Sequence, residues 1–128
     1  MDEKQQELMF KFQMFEQQIR QVQEQLQAVE QGIIDMSSLA LGIEELKGKK
    51  DKEILAPIGR GIFAKAKLIS EELTVDVGGK NFVKKSISET SKIIREQVAK
   101  LEDARESLNQ TMEKINEELT NVMEENKE

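Results

Sequence analysis

The chain has 128 residues, of which 38% are apolar and 34% are charged, and it contains no tryptophan or tyrosine. This composition is poor material for one large compact core, but it suits long amphipathic helices that each bury one narrow stripe. The absence of cysteine and histidine excludes thiol nucleophiles, disulfides, histidine bases and the usual zinc ligands. We therefore expect no catalytic residues, no metal site and no cofactor.

The net charge of −6 is distributed unevenly along the chain. Residues 1–50 carry 6 basic and 9 acidic side chains, residues 51–85 carry 7 and 5, and residues 86–128 carry 6 and 11. Acidic ends repel nucleic acid phosphates and anionic lipids, so we expect neither nucleic acid nor a membrane as a partner. No apolar run reaches the length of a membrane span, and the first residues lack the pattern of a signal peptide. These features lead us to expect a cytoplasmic protein.

The first part of the sequence repeats apolar residues at alternating steps of three and four. The positions are Leu8, Phe12, Phe15, Ile19, Val22, Leu26, Val29, Ile33, Met36, Ala40 and Ile43. Because all eleven are apolar, this a/d repeat predicts a coiled-coil helix, which we place at residues 4–47. Gly32 is its weakest residue, with an expected cost of about 1 kcal/mol relative to alanine.

Residues 48–85 have a different pattern, in which alternate positions are apolar. This period of two predicts four short strands, at residues 53–58, 62–69, 73–77 and 82–84, which form two β-hairpins. Two hairpins on one chain have open edges and an uncovered apolar face, so we expect other subunits to cover them. The predicted oligomerisation residues are Ile54, Leu55, Ile58, Ile62, Ala64, Leu68, Leu73, Val75 and Val77.

The sequence Gly59-Arg60-Gly61 has two possible interpretations. A phosphate-binding loop needs a following helix and, in the P-loop form, Lys-Ser or Lys-Thr. Here a strand pattern follows, and Pro57 fits the end of the preceding strand because it has no N–H to donate. We therefore predict a turn in which the glycines supply positive φ angles.

The last part of the sequence repeats the heptad pattern, and we place a second coiled-coil helix at residues 86–126. Its stripe is Ile87, Ser91, Ile94, Val98, Leu101, Arg105, Leu108, Met112, Ile115, Leu119 and Val122. Ser86 and Glu89 have the spacing of a capping box, which predicts the start of the helix. The two helices have similar lengths and the chain must turn back between them, so we expect an antiparallel pair.

Phenylalanine and methionine are concentrated near the end of this predicted pair. Three of the five Phe and three of the six Met fall in the first 15 residues, at Met1, Met9, Phe10, Phe12, Met14 and Phe15. Phe12 and Phe15 fit the seam, but Met9, Phe10 and Met14 fall beside it and indicate a surface that accepts varied apolar partners. We expect unfolded chains to bind there. The candidate residues are Leu8, Met9, Phe10, Phe12, Met14, Phe15, Met112, Leu119, Val122 and Met123.

Together these elements resemble the alpha subunits of the prefoldin family. The resemblance is carried by ILAPIGRGIFAKAKL and LTVDVGGKNFVKKS, and above all by the spacing of Pro57, Gly59, Gly61 and Phe63. It implies an α+β subunit, in which a long antiparallel two-helix coiled coil carries two central β-hairpins that assemble into a β-barrel body. It also implies a hexamer with beta subunits, two alpha and four beta.

The resemblance further implies an ATP-independent chaperone that holds unfolded proteins at the coiled-coil tips and delivers them to a group II chaperonin. A structural alternative stays open, because the same hairpins could build filaments. A coiled-coil tether between other proteins is a third possibility. The paired carboxylates Glu44-Glu45 and Glu124-Glu125 fit solvated helix faces better than an acid/base pair, so we do not expect an enzyme.

Overall fold

The computed structural model describes residues 2–126 and confirms the predicted α+β class, with two long helices and two hairpins. The elements in chain order are α1 (Glu3–Glu44), β1 (Glu53–Gly59), β2 (Ile62–Lys67), β3 (Leu73–Asp76), β4 (Phe82–Lys85) and α2 (Ile87–Glu125). Neither helix, over the residues that the structure describes, has an apolar stretch of the length needed to cross a membrane.

The chain divides into two compact units. The helical unit contains the chain up to Ile33 and the chain from Ala99 onward. The hairpin unit contains Ile34–Val98, which includes all four strands. We describe each unit separately.

In the helical unit the start of α1 lies beside the end of α2, so the helices run antiparallel. Gln5 and Leu8 line the same small pocket as Glu125. Farther along the pair, a Cβ built on Gly32 would lie 3.3 Å from Leu101 Cδ1. Gly32 therefore permits a close approach of the two helices, although it is a poor helix former.

The predicted heptad stripes are confirmed as the buried side of both helices. All eleven stripe positions of α1 and all eleven of α2 are buried or half-buried. Val22 and Ile115 are buried in the helical unit, and Ile87 and Ile94 are buried in the hairpin unit. Arg105, the charged exception in the stripe, is half-buried, and a long basic side chain can keep its charge in water from such a position.

The predicted capping box at the start of α2 is confirmed. Ser86 Oγ accepts a hydrogen bond of 3.1 Å from the Glu89 backbone N–H, and it donates one of 3.0 Å to Glu89 Oε1. The Ser86 backbone N–H also donates to Glu89 Oε1, at 3.5 Å. Because the first amides of a helix have no partner within it, these contacts stabilise its first turn. The start of α1 has a cap that we did not predict, in which Asp2 Oδ1 accepts the Gln5 N–H at 2.8 Å.

Helix α1 ends at Glu44, three residues before the end that we predicted. The Leu46 N–H donates to the Ile43 carbonyl at 3.0 Å, which is the tighter turn that often ends a helix. Gly48 follows with φ +75°, a left-handed conformation that terminates helices. Its N–H donates to Glu71 Oε1 at 2.9 Å, so a side chain from the segment between the hairpins satisfies this amide.

The first hairpin pairs β1 with β2 in antiparallel register. Ile54 lies opposite Ala66 and Leu55 lies opposite Lys65, and an irregularity separates Pro57 from Gly59. Residues 59–61 form the connecting turn with φ angles of 139°, 50° and 78°, which confirms the turn interpretation. Strand β2 ends two residues earlier than predicted, although the Leu68 N–H still donates to the Lys52 carbonyl at 3.1 Å.

The second hairpin pairs β3 with β4 and forms a separate two-stranded sheet. Val75 lies opposite Val83, and Asp76 lies opposite Phe82. The Val77 N–H donates to the Asn81 carbonyl at 2.9 Å, and Asp76 Oδ1 accepts the Gly78 N–H at 2.9 Å. Gly78-Gly79-Lys80-Asn81 therefore form the turn of the second predicted hairpin.

Candidate functional site

The ten residues predicted to bind unfolded chains divide into two groups by burial. Six are half-buried seam residues, which are Leu8, Phe12, Phe15, Met112, Leu119 and Val122. The other four are exposed, with exposed fractions of 47% for Met9, 64% for Phe10, 45% for Met14 and 57% for Met123. We call these four the apolar end surface as a collective name, since Met9, Phe10 and Met14 are spread around α1 rather than lying on one face. Met1 lies outside the described residues.

The heptad explains why the apolar end surface is exposed. Met9 and Phe10 lie one and two positions after Leu8, and Met14 lies one position before Phe15, so none of them falls on the stripe. Most exposed neighbours in these helices are charged or amide side chains. Large apolar side chains in such a setting contribute little to packing within the chain, and they are available to a partner.

A groove on the helical unit lies next to this surface and includes one of its members. It has a volume of about 450 Å³ and is lined by Lys11, Met14, Phe15 and Gln18 of α1 and by Glu118, Asn121 and Val122 of α2. We did not predict the polar lining residues. Their spacing could have predicted that they share a face of each helix, because side chains three, four and seven residues apart lie on the same face.

A cleft of the hairpin unit differs in chemistry from this groove. It has a volume of about 610 Å³, and its lining includes Glu71, Glu72, Lys84, Lys85 and the capping-box residues of α2. Lys84 Nζ lies 3.7 Å from Glu72 Oε1. Charges of both signs line this cleft, so it offers no extended apolar surface to a partner.

The predicted oligomerisation residues of the first hairpin lie on both of its faces. Since residues directly opposite in a register share a face, Ile54 and Ala64 lie on one face together with Ala56 and Ala66. Leu55 lies on the other face, opposite Lys65. Ile58, Ile62 and Leu55 are exposed, whereas Ile54 and Leu68 are half-buried. The hairpin therefore has apolar residues on both faces.

In the second hairpin the predicted residues Leu73 and Val75 share a face with Val83. Leu73 and Val75 are half-buried, and Val77, just after β3, is exposed. The opposite face carries Phe82, which is also exposed. Each hairpin thus leaves apolar side chains uncovered within the described part of the chain.

A comparison with models of known protein families identifies the family of this chain. The family model described as Prefoldin subunit matches residues 15–128, which include α1 from Phe15 onward, both hairpins and all of α2. The chain belongs to the prefoldin family.

Curated relatives place the chain in the alpha class of prefoldin, as the sequence predicted. It is 27% identical over 112 residues to the prefoldin subunit alpha of Methanobrevibacter smithii, which covers 87% of this chain and 77% of the relative. It is 30% identical over 102 residues to the prefoldin subunit alpha of Methanococcus maripaludis, covering 78% and 69%. With two other prefoldin alpha relatives the aligned part spans only 58% and 61% of their length.

A solved prefoldin structure has the same fold. It is the cryo-EM structure of filamentous PFD from Methanocaldococcus jannaschii, with a TM-score of 0.77 at 19% identity, covering 89% of this chain and 96% of that chain.

This prefoldin chain also has a charged cluster at the end of α1, in the hairpin unit. Glu44 Oε2 lies 2.8 Å from Lys47 Nζ, and Glu44 Oε1 accepts a hydrogen bond of 3.2 Å from Arg95 Nη2. The pKa of Glu44 lies below its ordinary value, chiefly because of the Lys47 ammonium and then the Ser91 hydroxyl, with Arg95 contributing less. The Ser91 Oγ is buried and makes no hydrogen bond of ordinary length and angle with residues 2–126, so its contact with the Glu44 carboxylate is weaker than that of Lys47.

Proposed function

We propose that this prefoldin chain is a subunit of an ATP-independent chaperone that holds unfolded proteins at the paired ends of α1 and α2. The observation that carries this proposal is the apolar end surface, where Met9, Phe10, Met14 and Met123 are exposed on acidic helices. Family membership supports a role in protein folding.

The chemistry of this surface suits binding without sequence specificity. Burial of apolar surface contributes roughly 25 cal/mol per Å², whatever the partner's sequence. Methionine has three rotatable bonds and a polarisable sulfur, so it adapts to differently shaped partners. The neighbouring carboxylates keep the free surface hydrated. Weak, adaptable binding of this kind holds a client and later releases it.

Assembly through the hairpins is the second part of the proposal. A two-stranded hairpin is marginally stable alone, and exposed strand edges invite pairing. The uncovered residues Leu55, Ile58, Ile62 and Val77 support burial against prefoldin beta subunits in a β-barrel body. A hexamer of two alpha and four beta subunits in the cytoplasm, with delivery of clients to a group II chaperonin, completes the proposal. Neither nucleic acid nor a membrane takes part.

The test replaces Met9, Phe10 and Met14 with serine in the full chain, assembled with a prefoldin beta subunit. We expect the assembly to form but to lose most of its suppression of aggregation of a chemically denatured client, measured by light scattering. The matched control replaces Ile34, Leu39 and Leu41 with serine, which are exposed by 59%, 50% and 69% on the same helix. Equal suppression by both variants would contradict the assignment of the client site.

A filament-forming structural role is the alternative, and the similarity in fold to a filamentous PFD favours it. A heterologous contact that does not close produces open filaments, whereas a closed one produces a discrete particle. Negative-stain images of the chain, alone and with a beta subunit, separate the two roles. Native mass spectrometry of the same samples gives the stoichiometry, and discrete particles in both would exclude filaments.

A further inference from the structure

The groove beside the apolar end surface contains polar groups that hydrophobic binding does not explain. Phe15 and Val122 supply half-buried apolar surface, but Gln18 and Asn121 also line the groove, one from each helix. Both side chains are exposed, and among residues 2–126 neither carboxamide forms a hydrogen bond with another residue. Both amides are therefore free to bind a ligand.

We propose that Gln18 and Asn121 form hydrogen bonds with the main chain of a bound, extended polypeptide. The groove then recognises unpaired backbone as well as apolar side chains. This inference rests on the proposed client-binding function and adds to it the chemical group by which an unfolded client is distinguished from a folded protein.

The chemistry of the two groups is complementary. In a folded protein nearly all backbone N–H and C=O groups are already paired, whereas an unfolded segment exposes them. A carboxamide side chain has an acceptor oxygen and two donor hydrogens. Each amide can therefore form hydrogen bonds with a peptide group whichever way the client chain runs through the groove. Such contacts do not depend on the client's sequence.

The size and charge of the groove favour the same ligand. A volume of about 450 Å³ is in the range of sites for drug-sized molecules, so it accommodates a short peptide segment but not a folded domain. Lys11 and Glu118 line the groove with opposite charges, which favours a neutral segment over a strongly acidic or basic one. Met14 belongs both to the groove and to the apolar end surface, so one segment can contact both.

The experiment compares two labelled peptides with the same apolar side chains, one of them N-methylated at alternate residues to remove its N–H donors. Binding is measured by fluorescence anisotropy with the full chain, alone and assembled with a prefoldin beta subunit. We expect the unmethylated peptide to bind the native protein about tenfold more tightly, the effect of roughly two ordinary hydrogen bonds.

The variant that tests the amides is Gln18→Leu with Asn121→Leu. Leucine enlarges the apolar surface, so a purely hydrophobic groove would bind the unmethylated peptide equally well or better. We expect about tenfold weaker binding and no remaining preference between the peptides. The control is Gln17→Leu with Asn109→Leu, which are exposed residues of the same helices outside the groove, and it should behave like the native protein.

The outcomes distinguish this inference from the function on which it rests. Equal binding of both peptides to the native protein, or undiminished binding by the double leucine variant, overturns the role of the amides alone. Failure of the native protein to bind either peptide overturns the client-binding function and this inference with it. A change in self-association without a change in peptide binding would mean that the groove contacts a second copy of the chain, which also overturns the inference.

Discussion

The paired helices and the two hairpins differ in how their apolar residues are covered. The stripe residues of α1 and α2 are all buried or half-buried within the single chain. The hairpins leave Leu55, Ile58, Ile62 and Phe63 exposed, on both faces of the first sheet. The chain therefore completes its own helical seam, whereas its sheets leave apolar side chains that we propose other subunits cover. Stability and assembly should respond to different substitutions.

The largest effect is expected from the same substitution made once in each region. Ile115→Ala removes a buried seam side chain and should lower the free energy of unfolding of the isolated chain by about 2 kcal/mol or more. Ile58→Ala removes a side chain that is 69% exposed and should change that free energy by less than about 0.5 kcal/mol. Urea unfolding followed by circular dichroism measures both.

The opposite order is expected for assembly. Ile58→Ala should weaken association with a beta subunit, whereas Ile115→Ala should allow association at temperatures where the helices stay folded. Analytical ultracentrifugation tests this reversal. If Ile58→Ala unfolds the isolated chain as readily as Ile115→Ala does, the contrast between the two regions is wrong.

The next largest effect is expected from substitutions in the turn of the first hairpin. Gly59 and Gly61 have φ angles of +139° and +78°, which β-branched residues adopt only with strain of about 1–3 kcal/mol each. Gly59→Val with Gly61→Val should therefore disrupt the hairpin and abolish assembly while helical circular dichroism is retained. Gly42→Ala is the control, because Gly42 lies within α1 and is not among the glycines with a positive φ angle. Loss of helicity with an intact oligomer would contradict the prediction.

A smaller effect is expected at the start of α2, just after the second hairpin. Ser86→Ala removes the oxygen that accepts the Glu89 N–H and should cost about 1 kcal/mol. Ser88→Ala is the matched control, since Ser88 is exposed. Thermal unfolding measures the difference, and equal melting temperatures for the two variants would show that the cap does not stabilise the chain.

The smallest effect depends on pH and on Glu44. Its pKa in the folded protein is below the ordinary value of 4.5, so the folded state binds the proton less tightly than the unfolded state does. The resulting stability is complete above about pH 4.5 and is lost as the pH falls through the lowered pKa. Glu44→Gln should thus be slightly less stable than the native chain near neutral pH, and the difference should shrink in acid. Glu45→Gln, at an exposed neighbouring position, is the control.

The helices were predictable because their signals are local. The heptad stripes follow from spacing alone, and the capping box needs only Ser86 and Glu89 at the correct distance in sequence. The end of α1 was less predictable, because Gly48 is stabilised by Glu71, 23 residues away in sequence. Contacts of this kind depend on tertiary structure that no local pattern encodes.

The faces of the first hairpin and the groove were not predictable for a similar reason. The face on which Leu55 lies depends on the strand register, and a one-residue shift reverses every assignment. The groove depends on the offset between the helices, which places Asn121 beside the residues around Gln18. Heptads predict that the helices pair, but they do not state which residue of α2 faces a given residue of α1.

The buried hydroxyl of Ser91 has a consequence for engineering. A buried polar group without a partner lowers the stability of the fold, so serine is not the most stabilising residue at this seam position. Natural proteins seldom occupy their stability optimum, and a single change often raises it. Ser91→Ala removes this hydroxyl without adding volume, and heat resistance rises where that gain exceeds the loss of the hydroxyl's stabilising effect on the Glu44 carboxylate.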